Sequence, residues 1–144
     1  MTSAAGGFLR SPAALRVTRF ALGALLLAAA LAKIGDTTGL ALQVHNYRLA
    51  PGWSENLVAI LLPWVELCTG LALVVGIRAR AGAVIGLSLM VVFTIAVGSA
   101  WARGLDFECG CFGKASASHV GAEKFAENLG LTALAALASL RRRD

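Results

Sequence analysis

Residues 57–76 read LVAILLPWVELCTGLALVVG, and residues 81–102 read AGAVIGLSLMVVFTIAVGSAWA. These two stretches indicate the class of fold. Each has the roughly 20 mostly apolar residues that an α-helix needs to cross the hydrocarbon core of a bilayer. The short connection between them carries Arg78 and Arg80, as is typical of a turn at a membrane surface. The two stretches therefore predict two membrane-spanning helices joined by a tight turn.

The composition agrees with a membrane protein and excludes two other classes. Apolar residues make up 58% of the 144 residues and charged residues only 15%, a mixture that a soluble domain of this size could not keep in water. The net charge is +5, but the basic residues lie at segment ends and form no patch interleaved with aromatic residues. We therefore expect a lipid environment and no nucleic-acid partner.

Two weaker apolar stretches complete the pattern. Residues 17–34 form a candidate first span, with Arg19 and Lys33 near its ends, where both cations could snorkel to the interfaces. The last span is less regular, because only residues 129–140 are continuously apolar and charged residues crowd the turns before them. We expect it to begin as an interfacial helix. The four spans together predict an all-α fold, an integral membrane four-helix bundle.

The chain has room for a single domain. We place it at residues 17–140, between a cytoplasmic N-terminal tail of residues 1–16 and a basic cytoplasmic tail of residues 141–144. In an alternative interpretation, residues 1–32 are a cleaved signal peptide, because basic residues and a short apolar run precede the small-residue site Ala30-Leu31-Ala32. Both interpretations give the later spans the same orientation.

Arginine residues predict the orientation of the spans. They cluster before the first span, between the second and the third, and after the fourth: Arg10, Arg16, Arg19, Arg78, Arg80, Arg141, Arg142 and Arg143. The other two connections, residues 35–56 and 103–121, mix acidic and basic residues. Because cytoplasmic loops carry the excess of Lys and Arg, we expect both termini to be cytoplasmic and these two connections to be extracytoplasmic.

Cys109 and Cys111 are the residues from which the chemistry is best argued. Only Gly110 separates them, so a disulfide between them would close a small, strained ring, and strain makes a disulfide easier to reduce. The predicted orientation places the pair in an oxidising compartment. We predict a catalytic, redox-active dithiol. The alternatives are a permanent structural disulfide and a metal site, for which His119 is the nearby additional ligand.

Glu66 lies about 15 Å into the second span by helical rise, where a carboxylate is expensive unless it is neutral or paired. One interpretation is that it carries the proton that accompanies electron transfer to a quinone. The other is a protonated side chain hydrogen-bonded to the backbone of another helix or to Thr94. Pro63 frees a backbone carbonyl nearby, and Trp64 would supply an aromatic wall. Trp64 and Glu66 are thus candidates for one edge of a quinone-binding site, although Trp64 fits an interfacial anchor equally well.

Two further residues are candidate auxiliary groups. Cys68 most simply fits a small core residue, and the sharper alternative is that it relays a disulfide inward. His45 lies in an amphipathic stretch, residues 39–49, that could form a surface helix over the bundle. Packing is the simpler role for this stretch. His45 could also donate a proton to thiolates if the two extracytoplasmic connections meet.

The order of motifs resembles a known family. Arg19-Phe20 opens the first span, Lys33-Ile34-Gly35-Asp36 closes it, and Pro63-Trp64-Val65-Glu66-Leu67 and Cys109-Gly110-Cys111-Phe112-Gly113 follow. The sequence resembles the MauE branch of the MauE/DoxX family of redox-associated membrane proteins over nearly its whole length. The resemblance implies a four-helix bundle in a bacterial inner membrane. It also implies work on disulfides with a thioredoxin-like partner, as in maturation of the disulfide-rich small subunit of methylamine dehydrogenase.

Two classes of function follow. In the first, the chain is a thiol-disulfide redox protein that exchanges electrons through Cys109 and Cys111 with an extracytoplasmic thioredoxin-like protein. The residues establish no cofactor, and a quinone is the candidate. In the second, the chain is a non-enzymatic membrane scaffold for a redox complex, with the cysteine pair as a fixed clamp. A small transporter is less favoured, because Glu66 stands nearly alone as an intramembrane charge.

Overall fold

The computed structural model describes residues 11–107 and 119–139. Within these residues the chain forms five helices and no strand, which confirms the all-α class. They are α1 (Pro12–Ile34), α2 (Thr37–Tyr47), α3 (Gly52–Val75), α4 (Ala79–Ala102) and α5 (Ala122–Ser139). Among the described helices, α1, α3 and α4 are long and apolar enough to cross a membrane.

The helix ends have local causes. The Ser11 side chain accepts a hydrogen bond from the backbone N–H of Ala14 at 3.2 Å, so α1 begins at Pro12, five residues before the predicted span. Pro51 likewise precedes α3, which begins one turn earlier than predicted. Helix α3 ends at Gly76, whose φ of 87° is the left-handed conformation that glycine adopts at helix ends.

Helices α1 and α3 run antiparallel in backbone contact. Two glycines face each other where they cross, and a Cβ atom added to Gly70 would lie 2.9 Å from the Gly23 carbonyl oxygen and 3.0 Å from the Leu27 backbone nitrogen. Real side chains do not approach backbone atoms so closely. The small residues therefore set the separation of the two helices, as is typical of membrane helix pairs.

Four helices share one apolar core. Its buried members are Leu22 and Leu26 of α1, Leu73 of α3, Ala83 and Met90 of α4, and Ala135 and Ala138 of α5. Helix α5 also contacts α4 through a hydroxyl pair, since Thr94 Oγ1 and Thr132 Oγ1 lie 2.8 Å apart. The four long helices are therefore packed together. That α5 crosses the membrane as a fourth span stays a prediction, because charged residues occupy its first turns.

The two connections predicted to be extracytoplasmic meet at one end of these helices. Helix α2, which confirms the helix predicted in residues 39–49, ends with Tyr47, whose ring packs edge-on against Phe107 with centroids 4.7 Å apart. The Arg103 side chain donates a hydrogen bond to the Tyr47 carbonyl, and the Val120 N–H donates to the Phe107 carbonyl at 2.9 Å. Phe107 and His119, the residues on either side of residues 108–118, therefore both lie at this end.

The described members of the arginine groups lie at the opposite end of the helices. Arg16 and Arg19 are in the first turns of α1, and Arg78 and Arg80 are in the turn between α3 and α4. Arg19 Nε donates a hydrogen bond to the Ala138 carbonyl at 2.9 Å, so the end of α5 belongs to the same side. The cytoplasmic orientation of this side, and the extracytoplasmic position of the other, stay predictions.

Candidate functional site

The centre of the candidate site is an ion pair inside the helices. Lys33 in the last turn of α1 contacts Glu66 in the middle of α3, with Nζ 2.8 Å from Oε1 and 3.0 Å from Oε2. Lys33 is 1% exposed and Glu66 is not exposed at all. Both charges are therefore removed from solvent and from lipid, and each depends on the other for compensation.

This pair corrects three predictions. Lys33 does not snorkel to the interface, because its side chain is buried between the helices and its ammonium group is bound by Glu66. Glu66 does not use Thr94, whose hydroxyl donates to the Met90 carbonyl at 2.7 Å and pairs with Thr132. Glu66 is also not nearly alone as an intramembrane charge. The sequence could have identified Lys33 as the partner of Glu66, since a carboxylate within a span needs a partner of opposite charge.

An apolar cavity of about 220 Å³ lies next to Lys33 rather than Glu66, since Lys33 belongs to its lining and Glu66 does not. Helix α2, the start of α3 and the second half of α4 enclose it, and Lys33 is the charged residue in its lining. The Lys33 Nζ atom is 5.1 Å from the centre of the Phe93 ring, which forms part of the same wall. Gln43 and Tyr47 of α2 add two further polar side chains to the lining.

The cavity is open to the outer surface of the helices. Leu49 and Val92 line it and are 53% and 62% exposed, so they belong to both the cavity and the surface. In a membrane, this surface would meet lipid. A molecule dissolved in the bilayer could therefore enter the cavity from the side, without crossing the aqueous phase.

The structure separates the other candidates on α3 from Glu66. Trp64 is 55% exposed and Cys68 is also exposed, so both lie on the outer face of α3 while Glu66 points inward. The interpretation of Cys68 as a core residue is therefore wrong. The helical period explains this, because residues two apart on a helix lie on different faces. That Trp64 and Glu66 form a quinone edge stays a prediction.

The histidines lie at the end where the two connections meet. His45 Nδ1 is 2.9 Å from Glu55 Oε1, and His119 Nδ1 is 3.0 Å from Asp106 Oδ1, with both imidazoles exposed. Within residues 11–107 and 119–139, no group of three His, Cys, Asp or Glu side chains could hold a metal ion. Cys109 and Cys111 lie outside the described residues, so the predicted catalytic dithiol stays a prediction.

The comparison with known families is decisive for residues 11–141, which match the family described as "Methylamine utilisation protein MauE". The chain belongs to the MauE family. This confirms the resemblance to MauE inferred from the order of motifs. MauE membership also agrees with the three membrane-capable helices seen among the described residues.

Curated MauE proteins are similar over most of the chain. The chain is 36% identical to "Methylamine utilization protein MauE" of Paracoccus denitrificans over 129 residues, which cover 89% of this chain and 69% of that protein. It is 35% identical to the MauE of Methylorubrum extorquens over 105 residues, 72% of this chain and 56% of that protein. No solved structure matches the chain significantly.

Proposed function

We propose that this MauE family protein is a membrane thiol-disulfide redox protein of methylamine utilisation. Cys109 and Cys111 exchange electrons with an extracytoplasmic thioredoxin-like protein, and this exchange supports disulfide formation in a maturing enzyme, as in methylamine dehydrogenase biogenesis. The pathway follows from the names of the curated relatives. The chemistry follows from the strained Cys-Gly-Cys sequence.

One structural observation carries the proposal. The segment that contains the cysteine pair begins after Phe107 and ends before His119, and the hydrogen bond from Val120 to Phe107 joins its two ends. Phe107 in turn packs against Tyr47 of α2. The two residues that flank the pair's segment, Phe107 and Val120, thus lie at the end of the helices opposite the turn that carries Arg78 and Arg80. This position suits contact with a partner outside the cytoplasm.

The proposed exchange has two balanced steps. In the first, a partner dithiol attacks the Cys109–Cys111 disulfide, so the partner becomes a disulfide and the two cysteines become thiols. In the second, the two thiols return to a disulfide and pass two electrons and two protons to a quinone, which becomes a quinol. Strain in the Cys109–Cys111 disulfide favours this direction of electron flow, because a strained disulfide is the better oxidant.

The test is the redox state of the pair in intact cells. Thiols are trapped by acid and labelled with a mass-tagged maleimide in a Cys68→Ser background, before and after a short pulse of reductant. We expect the pulse to reduce the pair and the disulfide to return within minutes, but only while respiratory quinone is present. A Cys109→Ser variant identifies the labelled species.

Two results would contradict the proposal. The pair could stay oxidised throughout the pulse, or it could stay reduced afterwards with quinone present. Either result would show that the pair is structural or redox-inactive, and would favour the membrane scaffold instead. In that case Cys109→Ser should lower the amount of protein in the membrane, which immunoblotting of the same cells measures.

A further inference from the structure

The cavity over Lys33 has the features of a binding site for one small ring. An apolar cavity of about 150 Å³ is large enough to bind benzene, so about 220 Å³ accommodates a single ring with substituents. Its walls are mainly aliphatic side chains such as Leu62 and Val92, with Phe93 as an aromatic surface. The size and lining therefore fit a flat, apolar headgroup.

Lys33 gives this apolar cavity a directed hydrogen-bond donor. An ammonium group carries three N–H donors, and the contacts to Oε1 and Oε2 of Glu66 use two of them. Glu66 does not use the third N–H, and Lys33 belongs to the cavity lining, so this N–H is the donor that a ligand in the cavity would use. Glu66 fixes the position of Nζ, so the donor is held in place before any ligand arrives.

The same residues select against other occupants. A methylammonium ion would meet the positive charge of Lys33, while the carboxylate of Glu66 is already engaged by that lysine. A lipid acyl chain would pack against the apolar walls but would leave the Lys33 N–H without an acceptor. A carbonyl oxygen on an apolar ring satisfies both the walls and the donor.

We propose that this cavity is a quinone site, in which Lys33 donates a hydrogen bond to a carbonyl oxygen of the ring and Phe93 packs against the ring. The headgroup enters from the lipid side between Leu49, in the connection that follows α2, and Val92 of α4. Its isoprenoid tail stays in the bilayer. The inference rests on the proposed function, in which a quinone takes two electrons and two protons from the dithiol. Tyr47 lines the cavity and contacts Phe107, so the site is adjacent to the start of the cysteine segment.

Photolabelling of the full chain in lipid nanodiscs tests the site. The probe is a short-tailed ubiquinone analogue that carries an azide on the ring, with decylubiquinone as competitor, and mass spectrometry identifies the labelled residues. The thiols are alkylated first, so the outcome does not depend on disulfide exchange. We expect labelling in α2 and in the second half of α4, and its loss on addition of decylubiquinone.

Two changes in the cavity should reduce the labelling. Ala96→Phe places a ring inside the cavity, and Lys33→Met with Glu66→Met removes the donor without leaving a carboxylate unpaired. We expect the double variant to weaken binding about tenfold or more, the effect of losing one hydrogen bond to a charged donor. Ala96→Phe should weaken binding at least as much, because its ring occupies the space that the ligand needs. Ala21→Phe is the matched control, because Ala21 lines a different surface depression next to Arg16 and Phe20.

Three outcomes would overturn the site. They are labelling that Ala96→Phe and the double variant leave unchanged, labelling confined to other helices, and displacement by oleate as effective as by decylubiquinone. The last would make the cavity a lipid-tail site. If labelling behaves as expected while the cysteine pair fails to return to disulfide in cells, the proposed function fails and the binding site stands.

Discussion

Lys33→Met is expected to lower the free energy of unfolding by about 3 kcal/mol, the lower end of the range for breaking a buried ion pair. The substitution keeps the length of the side chain but leaves Glu66 without its partner in a site that neither water nor lipid headgroups reach. The carboxylate can then avoid full ionisation by taking up a proton, which is why the lower end applies. Glu66→Met should be destabilising by a similar amount, because it leaves the ammonium of Lys33 unpaired.

The double variant distinguishes the contribution of the ion pair to stability from the contributions of its two side chains. With Lys33→Met and Glu66→Met together, no charge is left unpaired, and the stability should return to within about 1 kcal/mol of the original protein. Unfolding in mixed micelles, followed by helical circular dichroism as the fraction of SDS rises, gives the three free energies. A large coupling energy between the two substitutions is the expected signature.

A matched control removes a carboxylate that is not buried. Glu123 lies in the first turn of α5 and is exposed, so Glu123→Met should leave the unfolding midpoint nearly unchanged. If Lys33→Met and Glu66→Met are each as mild as this control, or if their effects simply add, the ion pair has no role in stability.

Gly70→Val is expected to destabilise the protein by about 2 to 3 kcal/mol, within the usual range for overpacking. The added atoms would fall against the Gly23 carbonyl and the Leu27 backbone nitrogen of α1. Backbone atoms cannot rotate aside as a side chain can, so the two helices must move apart. The same movement would lengthen the contact between Lys33 and Glu66, which join these helices.

The measurement is again the unfolding midpoint in mixed micelles, with Gly130→Val as the matched control. Gly130 is in the middle of α5, and a Cβ atom there would meet nothing within 4 Å. Both substitutions introduce the same side chain into a membrane-associated helix, so their difference isolates the close approach. Equal stabilities for the two variants would show that α1 and α3 do not depend on a small residue at their crossing.

Much of the fold could be predicted from the sequence, because hydropathy and length are local properties. The two central stretches correspond to α3 and α4, and the amphipathic residues 39–49 correspond to most of α2. The family could also be predicted from motif order. The helix starts were less accurate, since a cap such as Ser11 extends a helix beyond its apolar run.

The partner of Glu66 could not be predicted with the same ease, because it depends on how helices pack. Lys33 appears in the sequence as a charge at the end of a span, a position that normally reaches the interface. Only the packing of α1 against α3, which brings Lys33 to Glu66, shows that it is buried. For Trp64 and Cys68, the helical period alone already separates their faces from that of Glu66, and it could have been applied to the sequence.

The ion pair also constrains the order in which the protein assembles. Lys33 is synthesised 33 residues before Glu66, so α1 reaches the bilayer while its ammonium has no counter-charge. Because Lys33 is at the end of α1, its side chain can reach the interface at that stage. It can move inward only once α3 has been inserted. The contact therefore forms only after α3 has been synthesised and inserted, and a chain that ends before residue 66 would leave the ammonium group of Lys33 without its partner.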